Sequence, residues 1–282
     1  MTLRAVLGGA AIVSSLLSAS SAAAPTRTTV EAEPARISVI AEGSGPVVVM
    51  LPSRGRDSED YGPVAAAIAA QGYRVLRPQP RGMAGSSGPM TGLTLHDLAA
   101  DVAAVIRAEG GGPAVVIGHA YGNWIARMTA VDHPALVRGI VLAASAAKTY
   151  PPELSIAVTR SADMGLPEAE RRRYLENTFF APGHDPSAWL EGWHADASRS
   201  QREASDRTRQ AEWWSGGQAP LLDLQAGADP FRPAETRDDL RNEFGARVTV
   251  AVIPDTSHAL LPEAPGAVAD AVVAWLRGLP GR

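Results

Sequence analysis

Cysteine is absent from all 282 residues, which excludes disulfides, a thiol nucleophile and cysteine-held metal. Lysine occurs once, at Lys148, so Schiff-base chemistry is excluded everywhere else in the chain. No excess of positive charge exists either. The net charge is −4, giving no general reason to expect nucleic acid or an anionic membrane as a partner. His96, His133, His184 and His194 lack paired ligand spacing, so no metal site is expected. What is present is ample apolar material. Hydrophobic residues at 45% against 20% charged can build a sizeable core, which rules out wholesale disorder. The length allows two domains or one large α/β domain, and the pattern along the chain favours the latter.

Residues 1–24 read as an export signal. Arg4 supplies a minimal positive start, and Ala5 to Leu17 is apolar. Small residues follow, ending in Ala22-Ala23-Ala24 before Pro25. A run of about thirteen apolar residues is short for a membrane span but suits a signal-peptide core. No twin arginine precedes it, so Sec-type export and a secreted or periplasmic mature chain are expected.

Beyond Pro34, short β-rich runs alternate with helical stretches. Strands are expected at Arg36–Ala41, Val47–Leu51, Tyr73–Leu76, Ala114–Ile117, Gly139–Ala144, Leu221–Gln225 and Val248–Ile253. Helices are expected at Val64–Ala70, Leu95–Glu109, Trp124–Val131, near Ala234–Phe244, and at Ala264–Leu276. Fully apolar strands separated by helices predict a mostly parallel sheet covered on both faces. The core is thus expected in two parts, 25–145 and 219–282. Between them, 146–218 carries no strand signal and holds Trp189, Trp193, Trp213 and Trp214. It is expected to be a helical lid over the strands' carboxyl ends, where ligands bind in such sheets.

The most informative stretch is Val115-Val116-Ile117-Gly118-His119-Ala120-Tyr121-Gly122-Asn123. A buried strand runs into a sharp turn and a helix leaves at once, the layout of a nucleophile elbow. The pattern normally reads G-x-S-x-G, but Ala120 stands at its centre, and a methyl group cannot attack a carbonyl. Three further segments follow in order. Arg77-Pro78-Gln79-Pro80-Arg81-Gly82-Met83-Ala84-Gly85-Ser86 leaves a strand, Gly227-Ala228-Asp229-Pro230 leaves another, and Thr256-Ser257-His258 leaves the last. With these, nearly all of the mature sequence resembles the α/β-hydrolase superfamily, in which elbow, acid and histidine occur in that chain order.

That resemblance implies a general base at His258, with its other ring nitrogen held by Asp229. The blander alternatives are a surface-loop histidine and a turn aspartate before proline. Asp223 and Asp255 are the nearest rival acids. The oxyanion hole is expected to use the backbone N–H of Tyr121 and a second donor from Ser53 or Arg54, because Pro52 has no N–H. Arg54 also suits a substrate carboxylate, since guanidinium pairs with it bidentately. His119, beside the elbow centre, is expected to pack. Trp189, Trp193, Trp213 and Trp214 either line an apolar ligand pocket or belong to the core.

Ala120 leaves three readings open. A natural serine exchanged for alanine would give an inactive form of a serine hydrolase. A native alanine with retained chemistry would let His258 and Asp229 act on water or substrate directly. A secreted small-molecule binding protein would keep the scaffold without turnover. The intact export signal favours native alanine. The expected activity is hydrolysis of small, partly apolar esters, lactones or related carbonyl compounds, with no cofactor, no nucleic acid and no membrane after signal cleavage.

Overall fold

The computed structural model describes residues 24–280, so the expected export signal lies outside the described residues except for its last residue, Ala24. Eight strands form one sheet in the order β1-β2-β4-β3-β5-β6-β7-β8. They are β1 (Thr26–Ala32), β2 (Ala35–Gly43), β3 (Val47–Leu51), β4 (Arg74–Pro78), β5 (Ala114–His119), β6 (Val137–Ala143), β7 (Leu221–Ala226) and β8 (Val248–Ile253). β1 and β2 form an antiparallel pair, and β2 also runs antiparallel to β4. From β4 to β8 every pairing is parallel. This is the expected mostly parallel sheet with helices on both faces.

Alternation along the central strands sorts side chains between two cores, as the period of two requires. Val48, Val115, Ile117, Val141 and Leu222 point to one face, where α1 (Gly62–Ala69) and α10 (Pro265–Gly278) pack. Val49, Val116, Leu142 and Leu221 point to the other, covered by α2 (Leu95–Ala108) and α3 (Gly122–Asp132). α2 starts where the sequence supplies a cap: Thr94 N–H donates to the Asp97 carboxylate at 2.8 Å. α1 and α10 each open with proline in the first turn, where a missing N–H costs nothing.

The segment between β6 and β7 contains α4 (Pro152–Ser161), α5 (Glu168–Thr178), α6 (Ala195–Asp206) and α7 (Gln210–Trp213). It is tied to the core at several points. Ala259 N–H donates to the Phe179 carbonyl at 2.6 Å, and the Glu263 carboxylate accepts from the N–H groups of Ala181 and Ser257, each at 2.6 Å. Glu263 ends α9 (Leu260–Glu263), the short helix after the last strand's loop.

Two features differ from the sequence expectation. β1 carries no clear alternation because it is an edge strand whose first four residues are all exposed. The helix expected near 234–244 is a 3-10 turn, Ala234–Thr236, followed by the short α8 (Asp239–Phe244). The strand order reverses around β3, which lies between β4 and β5. Such a reversal opens a crevice outside the carboxyl ends of the flanking strands. Here it separates the loop after β3 from the elbow after β5.

Candidate active site

The elbow is built as the glycine spacing demands. A Cβ on Gly118 would lie 2.3 Å from the Gly122 carbonyl oxygen and 2.4 Å from the Asn123 nitrogen. One on Gly122 would lie 2.6 Å from the Leu51 oxygen and 2.7 Å from that of Pro52. Between them the chain turns through Ala120 at φ +48°. A residue with a side chain pays roughly 1–2 kcal/mol for this left-handed conformation. The Asn123 side-chain amide and its backbone N–H both donate to the Ala120 carbonyl, holding the turn.

His258, in the loop after β8, and Asp229, in the loop after β7, meet beside this turn. His258 Nδ1 lies 2.9 Å from Asp229 Oδ2 and 3.1 Å from Oδ1, with both side chains buried. A carboxylate accepts only, so Nδ1 carries the proton and Nε2 keeps its lone pair. Asp229 Oδ1 also accepts the Phe231 N–H at 2.9 Å, and the Phe231 ring centroid lies 4.1 Å from that of the imidazole. The rival acids are occupied elsewhere. Asp223 pairs with Arg232 at 2.7 Å in the core, where burial pushes its carboxyl up against the pull of Arg232. Asp255 is an exposed turn residue at φ +54°.

The two expected second donors behave differently. Ser53 N–H donates to Tyr61 Oη at 3.0 Å and is therefore unavailable to a substrate oxygen, which removes Ser53 from the expected oxyanion hole. Among the described residues, the N–H groups of Arg54 and Tyr121 make no backbone hydrogen bond, and both residues border the same cavity. The Tyr61 hydroxyl in turn donates to His119 Nδ1 at 2.8 Å. His119 Nε2–H donates to the His258 carbonyl at 2.7 Å. These donors and acceptors are mutually consistent only for a neutral imidazole. Complete burial pushes the His119 pKa down to about 3, with nearby His258 and Arg56 acting in the same direction. One buried chain of hydrogen bonds thus runs from the loop after β3 to the loop carrying His258.

Ala120, Tyr121, Ser53, Arg54 and His258 line a cavity of about 60 Å³ with Trp124, Tyr150, Val158, Phe179 and Phe231. None of the four tryptophans expected to bind a ligand borders it. Trp189 and Trp193 are buried with Phe179 and Phe180, and the Arg56 guanidinium lies 4.8 and 4.7 Å from their rings. Trp213 and Trp214 belong to the core under α3, with Arg127 lying 5.9 and 4.4 Å from them. Trp124, missed as a site residue, takes that place. It is the third residue of α3, and its ring centroid lies 5.3 Å from that of Tyr121, the residue after the elbow centre. Among the described residues no group of three histidines, aspartates or glutamates is arranged to hold a metal ion.

The sequence model described as "Alpha/beta hydrolase family" matches residues 48–271. Epoxide hydrolase A of Mycobacterium tuberculosis is 29% identical over 164 residues, covering 56% of this chain and 47% of that protein. This chain therefore spans about half the length of that relative. Among solved structures, E-2-(acetamidomethylene)succinate hydrolase superposes with a TM-score of 0.74 at 19% identity, covering 90% of this chain and all of that one. An esterase from Exiguobacterium antarcticum gives the same TM-score and identity, covering 89% of this chain and 100% of its own. At such identities the structures establish a shared fold.

Proposed function

We propose, from the premise that this chain belongs to the alpha/beta hydrolase family, that it is an exported hydrolase working without a side-chain nucleophile. Its substrates are small, partly apolar esters, lactones or related carbonyl compounds. The observation carrying this reading is the buried His258–Asp229 pair, 2.9 Å apart at its closest, on a cavity shared with Ala120. His258 Nε2 takes a proton from a water, and the resulting hydroxide adds to the substrate carbonyl. Asp229 holds the ring in the required tautomer and stabilises the imidazolium. The N–H groups of Tyr121 and Arg54 receive the developing oxyanion. The imidazolium then returns its proton to the departing alkoxide, so water and ester become acid and alcohol.

The Ala120 methyl leaves the elbow position without a group that could form an acyl-enzyme. Removing a triad nucleophile still leaves about 10³–10⁴-fold acceleration over water from the oxyanion hole and binding, so turnover by this route is physically reasonable. The rings of Trp124, Phe179 and Phe231 favour a partly apolar substrate. Export rests on Arg4, the apolar run Ala5 to Leu17 and the small residues ending at Ala24.

The test is hydrolysis of short p-nitrophenyl esters and lactones by this chain and by Ala120→Ser, each with and without His258→Ala. The expected result is slow turnover by the unaltered chain that disappears with His258→Ala. Turnover confined to Ala120→Ser would mean an inactivated serine hydrolase. Ligand binding without turnover in either form would mean a binding protein.

A further inference from the structure

The buried arginines of this protein are engaged at their tips. Arg77 reaches Glu42 at 2.7 Å, Arg81 grips Asp101 through two nitrogens at 2.7 and 2.9 Å, and Arg232 reaches Asp223 at 2.7 Å. Arg56 pairs with Asp60 at 2.7 Å and lies over two indole rings. Arg127 has no carboxylate, but it donates to the Trp214 carbonyl and to Ser145 and lies over an indole ring.

Arg54 is different. Its Nε lacks a hydrogen-bond partner, as do those of Arg77, Arg127 and Arg232, but its tip is weakly held too: its one side-chain hydrogen bond is a long contact from Nη2 to Thr159 Oγ1 at 3.4 Å. Burial lowers its pKa, and Arg202 acts in the same direction, while Tyr150, Tyr121 and Asp206 oppose them. Arginine remains charged despite such a shift, so this is a partly desolvated cation without a counter-ion in contact. An arriving anion is the group that relieves that state.

Its position says where the anion would lie. Arg54 borders the cavity containing Ala120 and His258, and it also borders an open cleft of about 550 Å³ on the outer side. Arg54, Arg160 and Arg202 line that cleft with Asp163 and Asp206, so its mouth carries three cations against two carboxylates. Asp163 already uses one oxygen to accept the Gly165 N–H at 3.0 Å.

We propose that Arg54 binds a carboxylate on the substrate, which makes the preferred class carbonyl compounds bearing a second, anionic end, such as half-esters of dicarboxylic acids. The inference rests on the hydrolase reading above for the reacting end. There the Arg54 N–H meets the carbonyl oxygen while its guanidinium meets the carboxylate. The two ends of the substrate are thus separated by about the reach of one arginine side chain. The planar guanidinium offers its two terminal nitrogens as a two-pronged donor matched to a carboxylate, which a lysine would not provide.

Binding is measured by calorimetry, without requiring turnover, for the monomethyl and dimethyl esters of succinate, glutarate and adipate. The unaltered chain should bind at least one monoester ten-fold more tightly than its diester. Arg54→Gln should bring the two within two-fold, with a melting temperature showing that the variant is folded. Arg54→Lys should retain only part of the preference, and Arg202→Gln most of it. Equal binding of monoester and diester, no binding of either, or a preference that survives Arg54→Gln would overturn the assignment, as would tighter binding of inorganic phosphate than of every monoester. A monoester preference without hydrolysis would instead overturn the hydrolase reading and leave the carboxylate site standing. Hydrolysis without that preference would do the reverse.

Discussion

Two side chains, Tyr61 and His119, connect the two halves of the site through one run of hydrogen bonds. Tyr61 donates to His119 and accepts from Ser53 N–H, so Tyr61→Phe orphans a buried acceptor and a buried donor together. Each orphaned group costs about 1–3 kcal/mol, and the loop carrying Arg54 loses one of its anchors, with the Gly55 N–H bond to Gln201 at 2.7 Å remaining. Denaturant unfolding should register that loss. His119 gives a separate signature. Its pKa is about 3 in the folded protein, against an ordinary value of 6.5, so unfolding takes up a proton between those pH values. Its contribution therefore makes stability fall as pH drops from about 6.5 toward about 3, and makes no pH-dependent contribution above that window. At most one proton is involved, or about 1.4 kcal/mol per pH unit. His119→Gln should flatten the slope by that amount when urea unfolding is compared from pH 7 down to pH 4. An unchanged slope would show that this imidazole is not held neutral.

Among the elements, the elbow tolerates the least. In Gly118→Ala the new methyl would strike backbone atoms of Gly122 and Asn123, which cannot give way without unwinding the first turn of α3. A loss above about 3 kcal/mol is expected, in the range of severe backbone and overpacking mutations. Circular dichroism melting of the variant checks it. The join between α5 and α9 is the second vulnerable point. Glu263→Ala removes the acceptor for both Ala181 and Ser257, and the loss from two orphaned N–H groups should exceed about 2 kcal/mol. Protease cleavage between 165 and 195 should accelerate along with it. These element-scale features were uneven in their sequence signatures. The elbow was legible because glycine spacing, a continuous apolar strand and an abrupt helix all point the same way. The choice between Ser53 and Arg54 was not, because it depends on a tyrosine hydroxyl from a turn eight residues on. The tryptophans stayed undecided in the sequence because buried aromatic side chains fit a core and a pocket equally well, and all four are buried outside the cavity lining.

For the whole molecule, the mostly parallel sheet and its two covered faces follow from apolar strands separated by helices, and the chain order Ala120, Asp229, His258 was readable from turns after strands. The edge strand β1 was not, since its exposed threonines and arginine carry no pattern of burial. Its start at Thr26 still bears on export. Removal of residues 1–24 would leave every pairing of β1 with β2 in place. A chain beginning at Pro25 is expected to melt within about a degree of the full chain, whereas one beginning at Ala35 loses the edge strand and should melt lower. The same architecture bears on redesign. Phe179 accepts a backbone bond from Ala259, next to His258, and Glu263 grips both Ala181 and Ser257. A foreign helical insert transplanted between β6 and β7 would therefore remove part of the mounting of the loop that carries His258. Tyr150, Ser155 and Val158 border the cavity but make none of these bonds, so a library meant to reshape the cavity without disturbing His258 belongs on that first helix and its approach.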